Sequence, residues 1–152
     1  DNMDAYGTFD HILVKLFHDI MDIEQKAIIT EPFKDITNND MHIIAAIGMG
    51  TPKNMSSIAK QLRVTTGTLT ISMNSLVKKG YVKRERSEQD RRVVYIMLTA
   101  KGKLAYKQHE NFHKQMTEAL VKGLTPEVTE LLVRALTNLK DFFENYREKQ
   151  EH

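Results

Sequence analysis

Residues 55–98 contain four short patterned segments in a fixed order, and that order constrains the fold more than any other feature. Met55 to Leu62 turns Ile58, Ala59 and Leu62 to one side at helical spacing. The connection that follows, Arg63-Val64, is very brief. Thr65 or Thr66 can then cap a second helix that reaches Lys79 and closes on Gly80. Val82–Arg86 and Val93–Leu98 read as strands by alternation and by their β-branched residues Val82, Val93, Val94 and Ile96, with the polar run Ser87-Glu88-Gln89-Asp90 between them. Two helices joined by so short a turn predict a helix-turn-helix, and the hairpin beside it predicts a wing.

The flanking segments are helical. Phe9, Ile12, Leu13, Leu16, Phe17, Ile20, Ile23 and Ala27 recur at helical spacing, so a long amphipathic helix is expected from Phe9 to about Ile29, ended by Pro32. Thr37 followed by Asp40 resembles a capping box and opens a second helix through Ile47, before Gly48, Gly50 and Pro52 break the chain. Thr99 starts a fifth helix ending near Gly123, and Thr125-Pro126-Glu127 starts a sixth. The sixth carries Val128, Leu131, Leu132, Ala135, Leu136, Leu139, Phe142, Phe143 and Tyr146, a stripe too wide for a lone surface helix. The expected fold is therefore mainly α with a small β-hairpin wing. It has six helices in one domain spanning 1–152, with the winged lobe at 37–98. The terminal helices, 9–31 and 99–150, are expected to bury their apolar faces in a two-fold homodimer, which suits palindromic DNA.

Net charge is only +2, but it is unevenly placed. Residues 53–92 carry ten basic and three acidic groups, a net +7, whereas the rest of the chain carries 12 basic and 17 acidic groups, a net −5. One basic surface on an otherwise acidic molecule points to a polyanionic partner, and double-stranded DNA fits the motif. There is no cysteine, so neither disulfides nor thiolate metal sites arise. No apolar run approaches the length of a membrane span and no secretory signal pattern opens the chain, so a cytoplasmic location is expected without a membrane partner. No P-loop, GxGxxG, nucleophile elbow or HExxH is present. Neither an enzyme nor a bound cofactor is expected.

In a helix-turn-helix the second helix enters the major groove through its N-terminal part. With Leu69, Met73 and Leu76 facing inward, Thr66, Thr68, Thr70 and Asn74 are the candidates for bases and phosphates, with Thr65 either a cap or a contact. Asn54, Ser56, Lys78, Arg84, Arg86 and Ser87 are further candidates along the same surface. A threonine offers a hydroxyl to a phosphate and a methyl to thymine, and no arginine or glutamine stands at the front of this helix, so an A/T-rich site is expected. In the wing, Asp90, Arg91 and Arg92 adjoin. Asp90 is expected to hold one arginine while the other reaches a narrow minor groove, with the assignment of each left open.

The run LVKKGYVKRERSEQDRRVVYIMLTAKGK (Leu76–Lys103) resembles the helix end, wing and DRR…LT..G signature of the MarR family. The order of six helices and a wing extends the likeness over nearly the whole chain. Within that family, FKDITNNDMH, VTTGTLTISMNSLVKKGYVKRERSEQDRRVV and FHKQM resemble the FabT-type repressors of fatty-acid synthesis genes. That resemblance implies an acyl-acyl-carrier-protein corepressor that strengthens DNA binding. Met41, Ile44, Met49, Phe112 and Met116 are the expected lining of a pocket for its acyl chain, with ordinary core packing as the alternative role. A rival reading uses His109 and His113, four residues apart on one helix face. With His42 and Glu24, and Glu110 near, they could form a zinc site of the kind that zinc-sensing MarR repressors place on these helices.

Overall fold

A computed structural model of the chain describes residues 2–28 and 30–151. Among these are six α-helices, a single 3-10 turn and one two-stranded sheet. In chain order they are α1 (Asn2–Ile28), the 3-10 turn (Glu31–Phe33), α2 (Asn38–Ile47), α3 (Met55–Leu62), α4 (Thr66–Lys79), β1 (Val82–Arg86), β2 (Val94–Leu98), α5 (Ala100–Val121) and α6 (Pro126–Glu151). The expected mainly α fold with a hairpin wing is the one observed. No described helix is long and apolar enough to cross a membrane.

The differences from expectation lie at element ends. Helix α1 starts at Asn2, well before Phe9, because Asp4 sits in its first turn and extension of a helix already nucleated costs little. Ile29, the expected end of that helix, lies outside the described residues. Pro32 does not merely break the chain: it occupies the first turn of the 3-10 segment, whose Phe33 N–H donates to Thr30 O at 2.9 Å. Strand β2 begins at Val94, since the Val93 amide is used by the turn, donating to Asp90 O at 2.9 Å. Helix α5 stops at Val121, and Gly123 takes φ +79° two residues beyond.

The chain divides into two compact units, residues 1–113 and 114–152. The first holds the core, in which Ile36, Met41, Ile44, Ile58, Leu69, Met73, Leu76, Tyr81 and Ile96 are fully buried. The expected capping box of α2 is present. Asp40 N–H donates to Thr37 Oγ1 at 3.0 Å and Thr37 N–H donates to Asp40 Oδ2 at 3.1 Å. Helices α3 and α4 join through Arg63, which adopts φ 57° and ψ 45° and closes α3, while Val64 N–H donates back to Ala59 O. The hairpin pairs Val82 with Leu98 through Arg86 with Val94. Backbone bonds between Lys53 and Ile96 fasten its base to the segment before α3. In the second unit, Thr125 accepts from Val128 N–H and Pro126 begins α6, which has no buried residue.

The junction of α4, the wing and α5 is closely packed. Tyr81, immediately after the αL Gly80, donates its N–H to Leu76 O and accepts Thr99 N–H at its own carbonyl, each at 3.0 Å. Gly102, in the first turn of α5, lies so close beneath that a β-carbon there would stand 2.1 Å from Tyr81 O. Backbone, not a flexible side chain, blocks the space, so Gly102→Ala is expected to destabilise the protein by about 2–3 kcal/mol or more. Urea unfolding at equilibrium checks this, and a variant as stable as the parent would contradict the packing described.

Candidate nucleic-acid interface

Helix α4 is opened by a threonine cap. Thr65 is the N-cap: its Oγ1 accepts from Thr68 N–H at 3.1 Å and donates to Thr68 Oγ1 at 2.9 Å. Thr70 Oγ1 donates to Thr66 O at 2.7 Å, the back-bonding common for a threonine within a helix. Leu69, Met73 and Leu76 are buried as expected, which leaves Thr66, Thr68, Thr70, Asn74 and Lys78 on the exposed side. One residue of that side was missed. Ile71 is 75% exposed, and the phase of the buried stripe would have found it. Asn74 carries more than solvent, because Arg84 of β1 donates a hydrogen bond to its Oδ1.

At the other end of α4, Lys79 turns away from the exposed face. Its Nζ donates to Asp40 Oδ2 at 2.8 Å and to Asp35 O at 2.7 Å, while Tyr81 OH donates to Asp35 Oδ1 at 2.5 Å. The Tyr81 bond, despite some desolvation, holds the Asp35 carboxyl below its ordinary range. Burial, aided by Asp35, pushes the Tyr81 phenol up, so it stays a donor at any physiological pH. Asn54 is the N-cap of α3, accepting from Ser57 N–H at 2.8 Å, and Ser56 beside it is exposed.

The wing tip is organised by side chains. Ser87 Oγ accepts from the amides of Gln89 and Asp90 at 3.2 Å each, and Arg86 donates to Arg91 O at 2.8 Å. Asp90 grips Arg92 with two side-chain bonds, Nε–Oδ1 at 3.0 Å and Nη2–Oδ2 at 3.1 Å, and accepts the Arg92 amide as well. This fork lowers the Asp90 pKa, its side-chain bond to Arg92 being the main cause. The question left open by the sequence is therefore answered at this tip: Arg92 is the arginine that Asp90 holds. The Arg91 guanidinium makes no hydrogen bond or ion pair with any described residue.

The expected effector residues have divided roles. Met41 and Ile44 are in the core, Met49 is exposed beside a cleft of about 120 Å³, and Phe112 is half-buried with its ring 5.8 Å from that of His113. Met116 belongs to the second unit and is partly exposed. Of the expected metal ligands, Glu24, His109 and His113 do converge, with Glu24 Oε1 2.6 Å from His109 Nε2 and 3.0 Å from His113 Nε2. His42 is exposed and outside this cluster, as is Glu110. Tetrahedral zinc at ~2.0–2.1 Å from each ligand would set donor atoms about 3.3 Å apart, so the three would need only slight spreading to fit.

Helix, turn, helix and basic wing on one core define the winged helix-turn-helix class of DNA-binding proteins. Residues 29–109 match the family model described as transcriptional regulator SarA/Rot, and the chain belongs to that family. It is similar over 92% of its length to Streptococcus pneumoniae FabT, a structure solved in complex with DNA, at 41% identity, 98% coverage of that chain and a TM-score of 0.82. SarZ of Staphylococcus saprophyticus is 35% identical over 82 residues, 54% of this chain and 56% of SarZ. A MarR family transcription regulator at 11% identity shares the fold, with a TM-score of 0.75 over 97% of this chain and 95% of that one. The chain spans about half the length of the first curated relatives it matches, 46% and 56%. The family's members are transcription regulators, not enzymes.

The Glu24 cluster predicts a pH dependence. Burial disfavours the Glu24 carboxylate, but the bonds to His109 and His113 outweigh this and lower its pKa below the ordinary 4.5. The stabilisation this represents is complete above that ordinary value and is lost as pH falls through the lower folded value. Thermal unfolding from pH 3 to 7 should show a shallower acid limb for Glu24→Gln than for the parent. Parallel limbs would remove Glu24 as a source of the acid sensitivity.

Proposed function

We propose that the chain is a repressor that binds a palindromic, A/T-rich operator as a homodimer. It controls fatty-acid biosynthesis genes and uses long-chain acyl-acyl-carrier-protein as corepressor. The observation that carries the reading is the wing. The fork from Asp90 fixes Arg92 and turns the tip so that Arg91 is left with its charge uncompensated, beside a helix whose exposed side is threonine-rich. An arginine so presented suits a narrow A/T minor groove, and the threonines suit the adjoining major groove. Thr66, Thr68 and Thr70 meet bases or phosphates, and Asn54, Ser56, Lys78, Arg84, Arg86 and Ser87 complete the surface. Exposed apolar residues on α1 (Phe9, Ile12, Met21) and α6 (Leu131, Leu136, Phe142) support pairing of two copies through 9–31 and 99–150, with lobes 37–98 about one helical turn apart. The fatty-acid role and its corepressor are what the resemblance to FabT-type repressors implies, and the similarity to FabT over 92% of the chain supports that resemblance.

Fluorescence anisotropy with an inverted-repeat duplex from a fatty-acid synthesis promoter tests this. Arg91→Ala should weaken binding about tenfold and reduce the slope of log affinity against log salt. Long-chain acyl-acyl-carrier-protein should tighten binding, whereas the unacylated carrier should not. Equal affinity for the inverted repeat and random DNA at matched salt would sink the operator reading.

One observation favours a second reading, a zinc-responsive regulator: the convergence of Glu24, His109 and His113. Calorimetric titration of chelator-treated protein with zinc separates the two. Under the first reading, zinc leaves operator affinity unchanged. Micromolar or tighter binding that changes operator affinity, and that Glu24→Gln abolishes, would favour the second.

A further inference from the structure

We propose that Ile71 is a specificity-determining residue that reads a thymine methyl in each operator half-site. Asn74 beside it is a positioning residue, held by Arg84 rather than committed to a base. The proposal rests on the operator reading above and adds a base-reading residue to it.

The phase of α4 places Ile71 outward. The buried stripe is Leu69, Met73 and Leu76, so Gly67, Ile71, Asn74 and Lys78 form the opposite stripe at helical spacing. Ile71 sits at its centre and is 75% exposed. It contributes nothing to the core, and a β-branched residue is a weaker helix former than the straight-chain residues that usually fill exposed helix positions. Its neighbours on that stripe are glycine, asparagine and lysine, so it is the one apolar side chain of the stripe; Val77, 37% exposed, lies off it on the flank of the helix. The 5-methyl of thymine is the apolar group that base edges offer in the major groove. An isoleucine held there has one chemically matched target.

Two of the neighbouring threonine hydroxyls, and the Asn74 oxygen, are already engaged within the protein. Thr70 donates its hydroxyl proton to Thr66 O and Thr65 donates to Thr68 Oγ1. Asn74 Oδ1 accepts from Arg84, and bidentate recognition of adenine by asparagine needs that same oxygen together with the amide nitrogen. The Arg84 bond instead ties the middle of α4 to β1, and so fixes the angle between recognition helix and wing before DNA arrives. Gly67, one turn before Ile71, has open space at its missing β-carbon, with only Thr65 Oγ1 at 4.0 Å. The fold does not require glycine there. Its lack of a side chain lets the front of α4 approach the groove closely enough for an isoleucine to reach a methyl.

The test is a coupling experiment on the full chain. An inverted repeat is first selected by the parent protein from a random duplex pool, and each thymine of a half-site is then replaced in turn by deoxyuridine, which removes only the methyl. Ile71→Ala should weaken binding to the selected duplex about fivefold without changing the salt slope, because no phosphate contact is lost. At one thymine per half-site, methyl removal should weaken the parent severalfold and leave Ile71→Ala unaffected. Asn74→Ala should reduce affinity without changing the selected sequence. Additive effects of Ile71→Ala and methyl removal at every thymine would overturn the assignment while leaving the operator reading intact. Selection that returns no preferred sequence would overturn both. Circular dichroism melting of Ile71→Ala, expected to match the parent, guards against a folding defect.

Discussion

The DNA-facing unit depends on one residue, Tyr81, more than on any other. It follows the αL glycine that ends α4, so its backbone fixes where that helix stops, and its carbonyl receives the amide that begins α5. Its ring is wholly buried, Lys101 lies over it at 4.4 Å, and its hydroxyl reaches Asp35 before α2. Four elements therefore meet on one side chain and its two backbone groups. A buried phenol must be hydrogen-bonded, and the partner it finds comes from a distant part of the chain. Recognition helix, wing root and α2 are thus held at mutually fixed angles without any contribution from DNA.

Charge is handled by a similar economy. Of the basic groups concentrated between residues 53 and 92, several are internal fasteners. Lys53 donates to Ala46 O, Lys79 to Asp40, Arg84 to Asn74 and Arg86 to Arg91 O. These bonds orient backbone and side chains; as exposed or half-exposed contacts they add little stability individually. Their value lies in presentation. Once they are made, the cations of this stretch whose side chains have no partner among the described residues are few: Lys60, Arg63, Lys78 and Arg91.

The elements themselves were legible in the sequence because each carries its own local signal. The capping pair Thr37 and Asp40, the C′ Gly80, the Thr125-Pro126 start and the alternation of β2 are short-range chemistry, and each was found where it was read. The α4 core stripe was legible for the same reason. What could not be read was long-range. Asp35 and Tyr81, or Asn74 and Arg84, lie far enough apart in sequence that no periodicity links them, and the partner of Asp90 was a choice between two adjacent arginines that only the turn geometry decides. Nothing local marks the tyrosine after Gly80 as a junction. Of the ligand set named from the sequence, Glu24, His109 and His113 do come together: the histidine spacing marks a face, and Glu24 entered through the resemblance to zinc-sensing repressors rather than through any local pattern. His42, which the sequence grouped with them, faces solvent because Met41, Ile43 and Ile44 on the same helix take the buried positions.

This rigidity bears on how a signal could act. Tilting α4 against the wing would break the Asn74–Arg84 bond, and shifting it along its axis would drive Tyr81 against Gly102, where backbone leaves no room. A packed junction of this kind responds by discrete rearrangement or not at all. The contacts that join α1 to α5 in the first unit are of a different kind. Among the described residues, hydrogen bonds join them, from Gln108 to Ala27 O and between Glu24 and two histidines. Polar links between long helices can exchange partners at low cost, whereas a close-packed backbone contact cannot. For the dimer proposed above, which would have to match two grooves at a set spacing, the α1–α5 contact is therefore where a bound ligand would have most leverage.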